Sequence, residues 1–371
     1  MVAVIEPADA QITASLRAHG SLTRHDLARA TGLSMATVTR AVTRLLANGV
    51  VTNGGWRPST GGRPSELLAY NGDGLVTVGV SVSEHAALGC LLTLNGDITS
   101  RDDEFFDEHD GPDNKLARTL QLIDRLMATP GGRVCGIGVA VPAVVGPSGR
   151  LSAMHEIGWD RLALGDVLSR HAGMPVTVDN DANCLALAEH LRGAGMGVQN
   201  LVGLVVSSGL GAGIIANGQL YRGLHHEAGE IGYLLTERAS LQRLFPGRGE
   251  LEQLIGGERL IAKAREFGVT AVDLATLPHL ISLGLRDRGP AGDFSDELLD
   301  LTALAISAMC VVLDPEMVII GGSGTESEMA DVIAGVANRL PGRILRVPKI
   351  EAAALGPDAV VIGAAQLGLP A

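Results

Sequence analysis

The chain has 371 residues, too long for one ordinary core and suited to two or three domains. Hydrophobic residues at 46% and charged residues at 19% exclude an intrinsically disordered chain, and aromatics at 3% leave the core to Val, Leu, Ile and Ala. The net charge is −12, yet residues 1–70 carry seven arginines against four acids, so a head of +3 joins a body of −15 and only the head suits a polyanion.

Three helical patterns fill the first fifty residues. "ADAQITASLRAHG" places Ile12 and Leu16 one turn apart and ends at Gly20. "TRHDLARATG" opens with Thr23, has Asp26 three residues on as a capping box, and closes at Gly32. "SMATVTRAVTRLLANG" has Ser34 as N-cap and Gly49 as stop. Its apolar face is Val38, Val42, Leu45 and Leu46, and its other face carries Ala36, Thr37, Thr39, Arg40, Thr43 and Arg44. A short helix, a tight turn and a helix with small residues at its start make a helix-turn-helix. Arg40 and Arg44 can reach phosphate or guanine from it. "VVTNGGWRPSTGGRPSELLAY" then reads as a wing, whose Arg57 and Arg63 precede prolines and suit a narrow minor groove.

From residue 73 the pattern becomes α/β. "GLVTVGVSVSE" and "ALGCLLTLNGDITSR" predict a hairpin with a further turn at Asn95-Gly96. A helix around "NKLARTLQLIDRLMATPGG", a buried strand "VCGIGVAVPAVV", and a strand running into a helix in "MPVTVDNDANCLALAEHLRG" follow. A second strand, loop and strand come in "NLVGLVVSSGLGAGIIANGQLY", and a long helix and strand in "DELLDLTALAISAMCVVLDPEMVIIGGSG". The repeated opening predicts two similar lobes facing a cleft. The acidic run 101–110 reads as a solvated strand edge and loop. Cys90, Cys135, Cys184 and Cys310 are far apart and read as reduced, buried thiols. No apolar run spans a bilayer and the first residues lack a signal-peptide pattern, so the expected location is the cytoplasm, with no membrane partner.

"VDNDANCLALAE", "SSGLGAGII", "AGEIGY", "LDPEMVIIGGSG" and "DAVVIGAAQLG", in this order, resemble the ROK family of repressors, open reading frames and sugar kinases. The resemblance covers nearly the whole chain, including the winged helix of the repressor branch. It implies an actin-like, ribonuclease H-like ATPase fold with sugar and ATP sites between two lobes. It also implies where this chain departs from the kinases. Their D-x-G-G-T loop after the first strand is here Ser81-Val82-Ser83-Glu84-His85, without the Asp and both glycines. Glu84 puts a carboxylate where a phosphate needs donors. The glycines Gly209, Gly211 and Gly213 are therefore expected to serve a tight turn with positive φ and not a nucleotide.

By the same resemblance Asp181 stands where kinases keep their base, with Asn180 beside it to bind another hydroxyl. Capping of the helix that starts there is the alternative reading. Glu230 matches a sugar-contacting Glu, Tyr233 stands where the family has a His serving zinc and sugar, and Glu252 keeps a family Glu. Glu250 replaces the last of three zinc cysteines, and Glu156 and Ala143 occupy an Asn and a Gly position on the sugar side. With no Cys from 185 to 309, a closed zinc site is not expected, and His225 and His226 read as solvent-facing.

The expectation is α/β with an N-terminal winged-helix domain (1–70) and a two-lobed sugar-kinase-like domain (71–371). The function is DNA-binding transcription regulation, as a repressor, without enzymatic activity, cofactor or metal. The partners are a double-stranded DNA operator, a sugar-like effector and a second copy, as a homodimer or homotetramer. The DNA-binding set is Ser34, Ala36, Thr37, Thr39, Arg40, Arg44, Arg57 and Arg63; the ligand set is Asn180, Asp181, Glu230, Tyr233, Glu252 and Glu156. Two alternatives stand beside it: a sugar kinase with an appended head, and a ligand-independent regulator.

Overall fold

The computed structural model describes residues 7–58, 64–107, 109–152, 157–206, 209–267, 276–286, 289–322 and 325–369. The head holds α1 (Pro7–His19), α2 (Arg24–Thr31), α3 (Met35–Ala47) and a hairpin of β1 (Val51–Arg57) and β2 (Ser65–Tyr70). Ile12, Leu16, Leu27, Val38, Val42, Leu45 and Leu68 make its core. Thr23 and Asp26 form the predicted capping box, and Gly32 ends α2 with φ 72°, the left-handed turn that sets α3 across α2.

The body is a duplicated arrangement. Its first sheet holds β3 (Leu75–Val82), β4 (Ala86–Thr93), β5 (Ile98–Phe105), β6 (Arg133–Val141) and β7 (Val176–Asn180), with α4 (Pro112–Ala128) and α5 (Leu164–Ala172). α6 (Asp181–Arg192) then leads to the second sheet: β8 (Leu201–Val206), β9 (Leu210–Ala216), β10 (Gln219–Leu220), β11 (Met317–Gly321) and β12 (Lys349–Ala352). The second half of the chain adds α7 (Glu250–Ile255), α8 (Gly257–Glu266), α9 (Thr276–Arg286), α10 (Pro290–Leu313), α11 (Glu326–Ala337) and the closing α12 (Ala359–Leu367). The strand orders are β5-β4-β3-β6-β7 and β10-β9-β8-β11-β12, the same path traced twice. In each, the first three strands pair antiparallel and the last two join in parallel.

The helices between the lobes are exchanged. α6 leaves the first sheet yet lies on the second, where a Cβ on Gly213 would sit 2.2 Å from Ala182 O. α12 leaves the second sheet yet lies on the first, where a Cβ on Gly79 would sit 2.3 Å from Val361 O. Backbone contact this close admits only glycine. It also corrects the reading of the 207–213 stretch. Gly211 and Gly213 lie inside β9, and none of Gly209, Gly211 and Gly213 has positive φ. They are small because a helix and a carboxylate press on them.

The acidic run is not simply solvated. Asp102 and Glu104 on β5 receive Arg125 of α4 at 2.7 and 2.9 Å, and Glu104 and Asp110 receive Arg118 at 2.7 and 2.6 Å. This ladder ties the edge strand to its covering helix. Of the four cysteines, Cys90, Cys184 and Cys310 are buried and Cys135 is partly so; all are unpaired thiols, and burial pushes Cys90 up to about 12. Among the described residues no helix is long and apolar enough to cross a membrane.

Candidate functional site

The head presents one open face. α3 begins at the cap of Ser34, whose Oγ accepts from Thr37 N at 3.2 Å and pairs with Thr37 Oγ at 2.8 Å. Both hydroxyls are thus engaged with each other. Ala36, Thr39, Arg40 and Thr43 are exposed. α3 carries no acid, and among the described residues Arg40 makes no hydrogen bond or ion pair. Two predicted DNA contacts are held elsewhere. Arg44 turns onto Asp9 of α1, with Nη2 to Oδ1 at 2.7 Å and Nε to Oδ2 at 3.2 Å. Asp9 is only 6% exposed, so the guanidinium answers a buried carboxylate before it answers anything outside. Arg57 on the wing bonds Asp26 of α2 at 2.8 Å. Hydrogen bonds from Thr23, and then the charge of Arg57, hold the Asp26 carboxyl below its usual range. Arg24 likewise pairs with Glu66, so the wing is pinned to α2 by two ion pairs. Arg63 lies outside the described residues.

The cleft between the lobes contains a cavity of about 480 Å³. Five of the six predicted ligand residues line it: Asn180, Asp181, Glu230, Tyr233 and Glu252. Glu156 lies outside the described residues. Each wall follows from local structure. β7 ends at Asn180, which caps α6 through Oδ1 to Ala182 N (2.9 Å) and Asn183 N (3.3 Å). The cap is therefore Asn180, so capping of α6 and lining of the cavity fall on the same residue. Asp181 follows as the first helical residue, a favoured place for a negative charge. Its Oδ1 accepts from Ala182 N at 2.8 Å.

The second lobe supplies the opposite wall. The segment after β10 brings Glu227 and Glu230, a short 3₁₀ turn (Ile231–Tyr233) brings Tyr233, and α7 brings Glu252. The Tyr233 hydroxyl donates to Gly247 O at 2.8 Å. Gly209 gives Glu252 room, since a Cβ there would stand 2.6 Å from Glu252 Oε1. Burial, and then the charges of Asp181, Glu252 and Glu227, push the Glu230 carboxyl up to about 7. At neutral pH it is shared between a donor and an acceptor form. Asp181 is an acceptor beside it, so the pair can serve neighbouring hydroxyls of a polyol.

Glu250, aligned by resemblance with a zinc thiolate, is buried at the start of α7. It accepts from Thr236 N at 2.9 Å and Ser240 Oγ at 2.6 Å, and pairs with Arg243. Hydrogen bonds thus hold together the chain around this carboxylate. Among the described residues no group of three or more His, Cys, Asp or Glu side chains is arranged to hold a metal. His225 is exposed, but His226 is not free: its Nδ1 bonds Val145 O at 3.0 Å. The first-lobe hairpin tip, Ser83 to Ala86, is closed by Ser83 N to Ala86 O at 2.8 Å, and Lys115 Nζ donates to Glu84 O at 2.9 Å. None of Ser81 to His85 lines the cavity.

Sequence reasoning missed Glu227, Arg248 and Ser152, which also line it. Glu227 stands three residues before Glu230, and Arg248 between two glycines just before Glu250, so position beside a recognised motif was the available signal.

Comparison with known proteins gives the family and the fold. The ROK family model matches residues 77–370, and a winged helix-turn-helix DNA-binding model matches residues 7–52. A xylose repressor of Bacillus spizizenii is 28% identical over 270 residues, covering 71% of this chain and 70% of that one. A solved ROK-family transcriptional regulator, a homologue of the E. coli MLC protein, superposes with TM-score 0.79 at 23% identity, over 97% of this chain and 94% of the other. A ROK-family glucokinase from Streptomyces griseus, solved with glucose and AMPPNP, superposes with TM-score 0.65 at 23% identity, over 79% of this chain and 99% of the other. These two likenesses bear on fold.

Proposed function

The chain belongs to the ROK family as a DNA-binding transcriptional regulator with a sugar-kinase-like body, and we propose that this body senses a sugar without phosphorylating it. The observation that carries the reading is the convergence of Asn180, Asp181, Glu230, Tyr233 and Glu252 on one cleft cavity. Carboxylates and an amide suit a polyhydroxylated ligand, and a relative 28% identical over 270 residues is named a xylose repressor. The hairpin tip 81–85, closed on itself and away from the cavity, supports the absence of kinase activity, because phosphoryl transfer depends on positioning and neutralising the phosphates.

DNA is read by α3 with Ser34, Ala36, Thr37, Thr39 and Arg40 at the major groove and the wing arginines beside it. Two heads of a homodimer read two half-sites. A sugar that binds one lobe arrangement better shifts the population and with it the head spacing. α6 is suited to carry that shift. It starts in the cavity at Asp181 and ends at Arg192, which donates to Asn95 O at 2.7 Å and Leu94 O at 3.3 Å. The wing's Tyr70 donates to the same Leu94 O at 3.0 Å.

A second reading, a sugar kinase with an appended head, is favoured by one observation: Asp181, which the family resemblance aligns with the kinase base, lines the cavity. The two separate in one experiment. The full chain is mixed with DNA upstream of its own gene in a mobility-shift assay, with and without D-xylose and D-glucose. ADP release is followed in parallel with magnesium–ATP. The expected result is a shift that one sugar reverses, with no ADP above the sugar-free rate. Sugar-stimulated ADP release, lost in Asp181→Asn, selects the kinase.

A further inference from the structure

A buried ion pair lies directly behind the cavity, outside the set that lines it. Asp179 is the penultimate residue of β7 and only 4% exposed. Its Oδ1 accepts from Asn180 N and Asn183 Nδ2, both at 2.8 Å. Its Oδ2 receives Arg222 through Nε at 2.7 Å and Nη2 at 2.6 Å. Every donor on this carboxylate therefore has a structural address. Two come from the end of β7 and the start of α6, and the other two, both from Arg222, come from the segment after β10.

Arg222 opens the segment after β10 that carries Glu227 and Glu230. Its carbonyl accepts from Ala228 N at 3.1 Å, closing that segment into a compact loop. The loop touches the first lobe a second time, where His226 Nδ1 donates to Val145 O at 3.0 Å. His226 has φ 62°, a conformation a non-glycine side chain adopts when its surroundings impose it. The loop is thus fixed at two points on the lobe it does not belong to. A planar guanidinium on a carboxylate fixes direction as well as distance. A buried pair adds little net stability over apolar packing, so its value lies in geometry.

We infer that Asp179 and Arg222 form a positioning clamp that sets the spacing between Asn180–Asp181 on one lobe and Glu227–Glu230 on the other. The inference rests on the reading of the cavity as a sugar site. Neither residue needs to touch the ligand. With the clamp in place the two walls stand close enough for one polyol to bridge them, and the carboxylates of Asp181, Glu227, Glu230 and Glu252 stay crowded. Without it the loop swings outward and the carboxylates separate.

The test uses the full chain with Arg222→Gln, Arg222→Lys and the double variant Asp179→Asn/Arg222→Gln, which leaves no buried charge unpaired. Two quantities are measured: calorimetric affinity for D-xylose and D-glucose, and the titration midpoint of Glu230 by carboxyl carbon NMR, assigned with Glu230→Gln. The expected result for Arg222→Gln is a Glu230 midpoint that falls from about 7 toward the ordinary 4.5. Loss of a nearby cation would by itself raise that midpoint, so a fall reports separation of the walls and not a change of local charge. Sugar affinity drops about tenfold or more, and Arg222→Lys recovers part of both effects. A midpoint still near 7 with unchanged affinity in the folded double variant overturns the clamp. If Arg222→Gln does not fold, the lysine and double variants decide by the same two readings. If the wild-type chain binds neither sugar, the sugar-sensing reading fails, while the Glu230 midpoint still decides the clamp.

Discussion

Head and cleft handle charge in opposite ways. In the head, Arg24, Arg44 and Arg57 are each matched by an acid of the same domain, Glu66, Asp9 and Asp26. The cation left without such a tie on the exposed face of α3 is Arg40. In the cleft, Asp181, Glu227, Glu230 and Glu252 are gathered on one cavity, and one of them responds by holding its proton. Charge matched within its own domain builds architecture. Charge crowded or left over marks a surface that has work to do with something else.

The largest expected effect tests the crowded side. Glu230 keeps its proton up to about 7 in the folded chain, against 4.5 when unfolded. Between these values the folded state binds more protons than the unfolded one, so stability falls as pH rises from about 4.5 to 7 and is flat above. Glu230→Gln removes the dependence. It is expected to stabilise the chain at pH 8 by up to ~3 kcal/mol and to leave it unchanged below pH ~4.5. Thermal melts of both proteins across that range check it, and parallel curves would show that Glu230 is not under this strain.

The next effect tests the side with the cation left over. Arg40→Ala is expected to weaken operator binding by ~1–3 kcal/mol, with relaxed preference at one base pair if it reads guanine. Thermal stability stays the same, because Arg40 ties nothing inside the domain. Mobility-shift titrations against the operator and single-base variants measure both. Full affinity in Arg40→Ala would move the reading face away from α3.

Much of this was legible in sequence, and the limits have physical reasons. Hairpins and caps are local, as Asn95-Gly96 and Thr23 with Asp26 show, and the two-lobed repeat is legible because the same pair of strand patterns opens at Leu75 and again at Leu201. The five cavity residues were legible because they sit beside turns and caps that a family motif spells out. Helical periodicity puts Arg44 on the polar face among the DNA contacts, and periodicity says nothing of Asp9, 35 residues earlier. The exchange of α6 and α12 between sheets was hidden for the same reason. Gly213 reads as a turn glycine until Ala182 O is seen against it. Asp179 and Arg222, 43 residues apart, meet only once both lobes are built.

The two tied arginines give the smallest and most discriminating effect. Arg44 and Arg57 have similar side-chain exposure, 40% and 49%, but their partners differ: the Asp9 side chain is 9% exposed and that of Asp26 20%. Arg44→Ala strands the more buried carboxylate, so it is expected to lower the melting temperature and to change operator affinity little. Arg57 holds a partner that keeps two bonds from Thr23 after the arginine leaves. An exposed pair of this kind is worth ~0–1 kcal/mol, little enough for a phosphate to outbid it. Arg57→Ala is therefore expected to leave the melting temperature within error, weaken DNA binding evenly across sequences, and lower the salt slope by ~1. Melts and salt titrations of both variants measure the contrast. If Arg57→Ala melts early with an unchanged salt slope, the wing arginine is architecture like Arg44, and the head's contact with DNA narrows to the exposed face of α3.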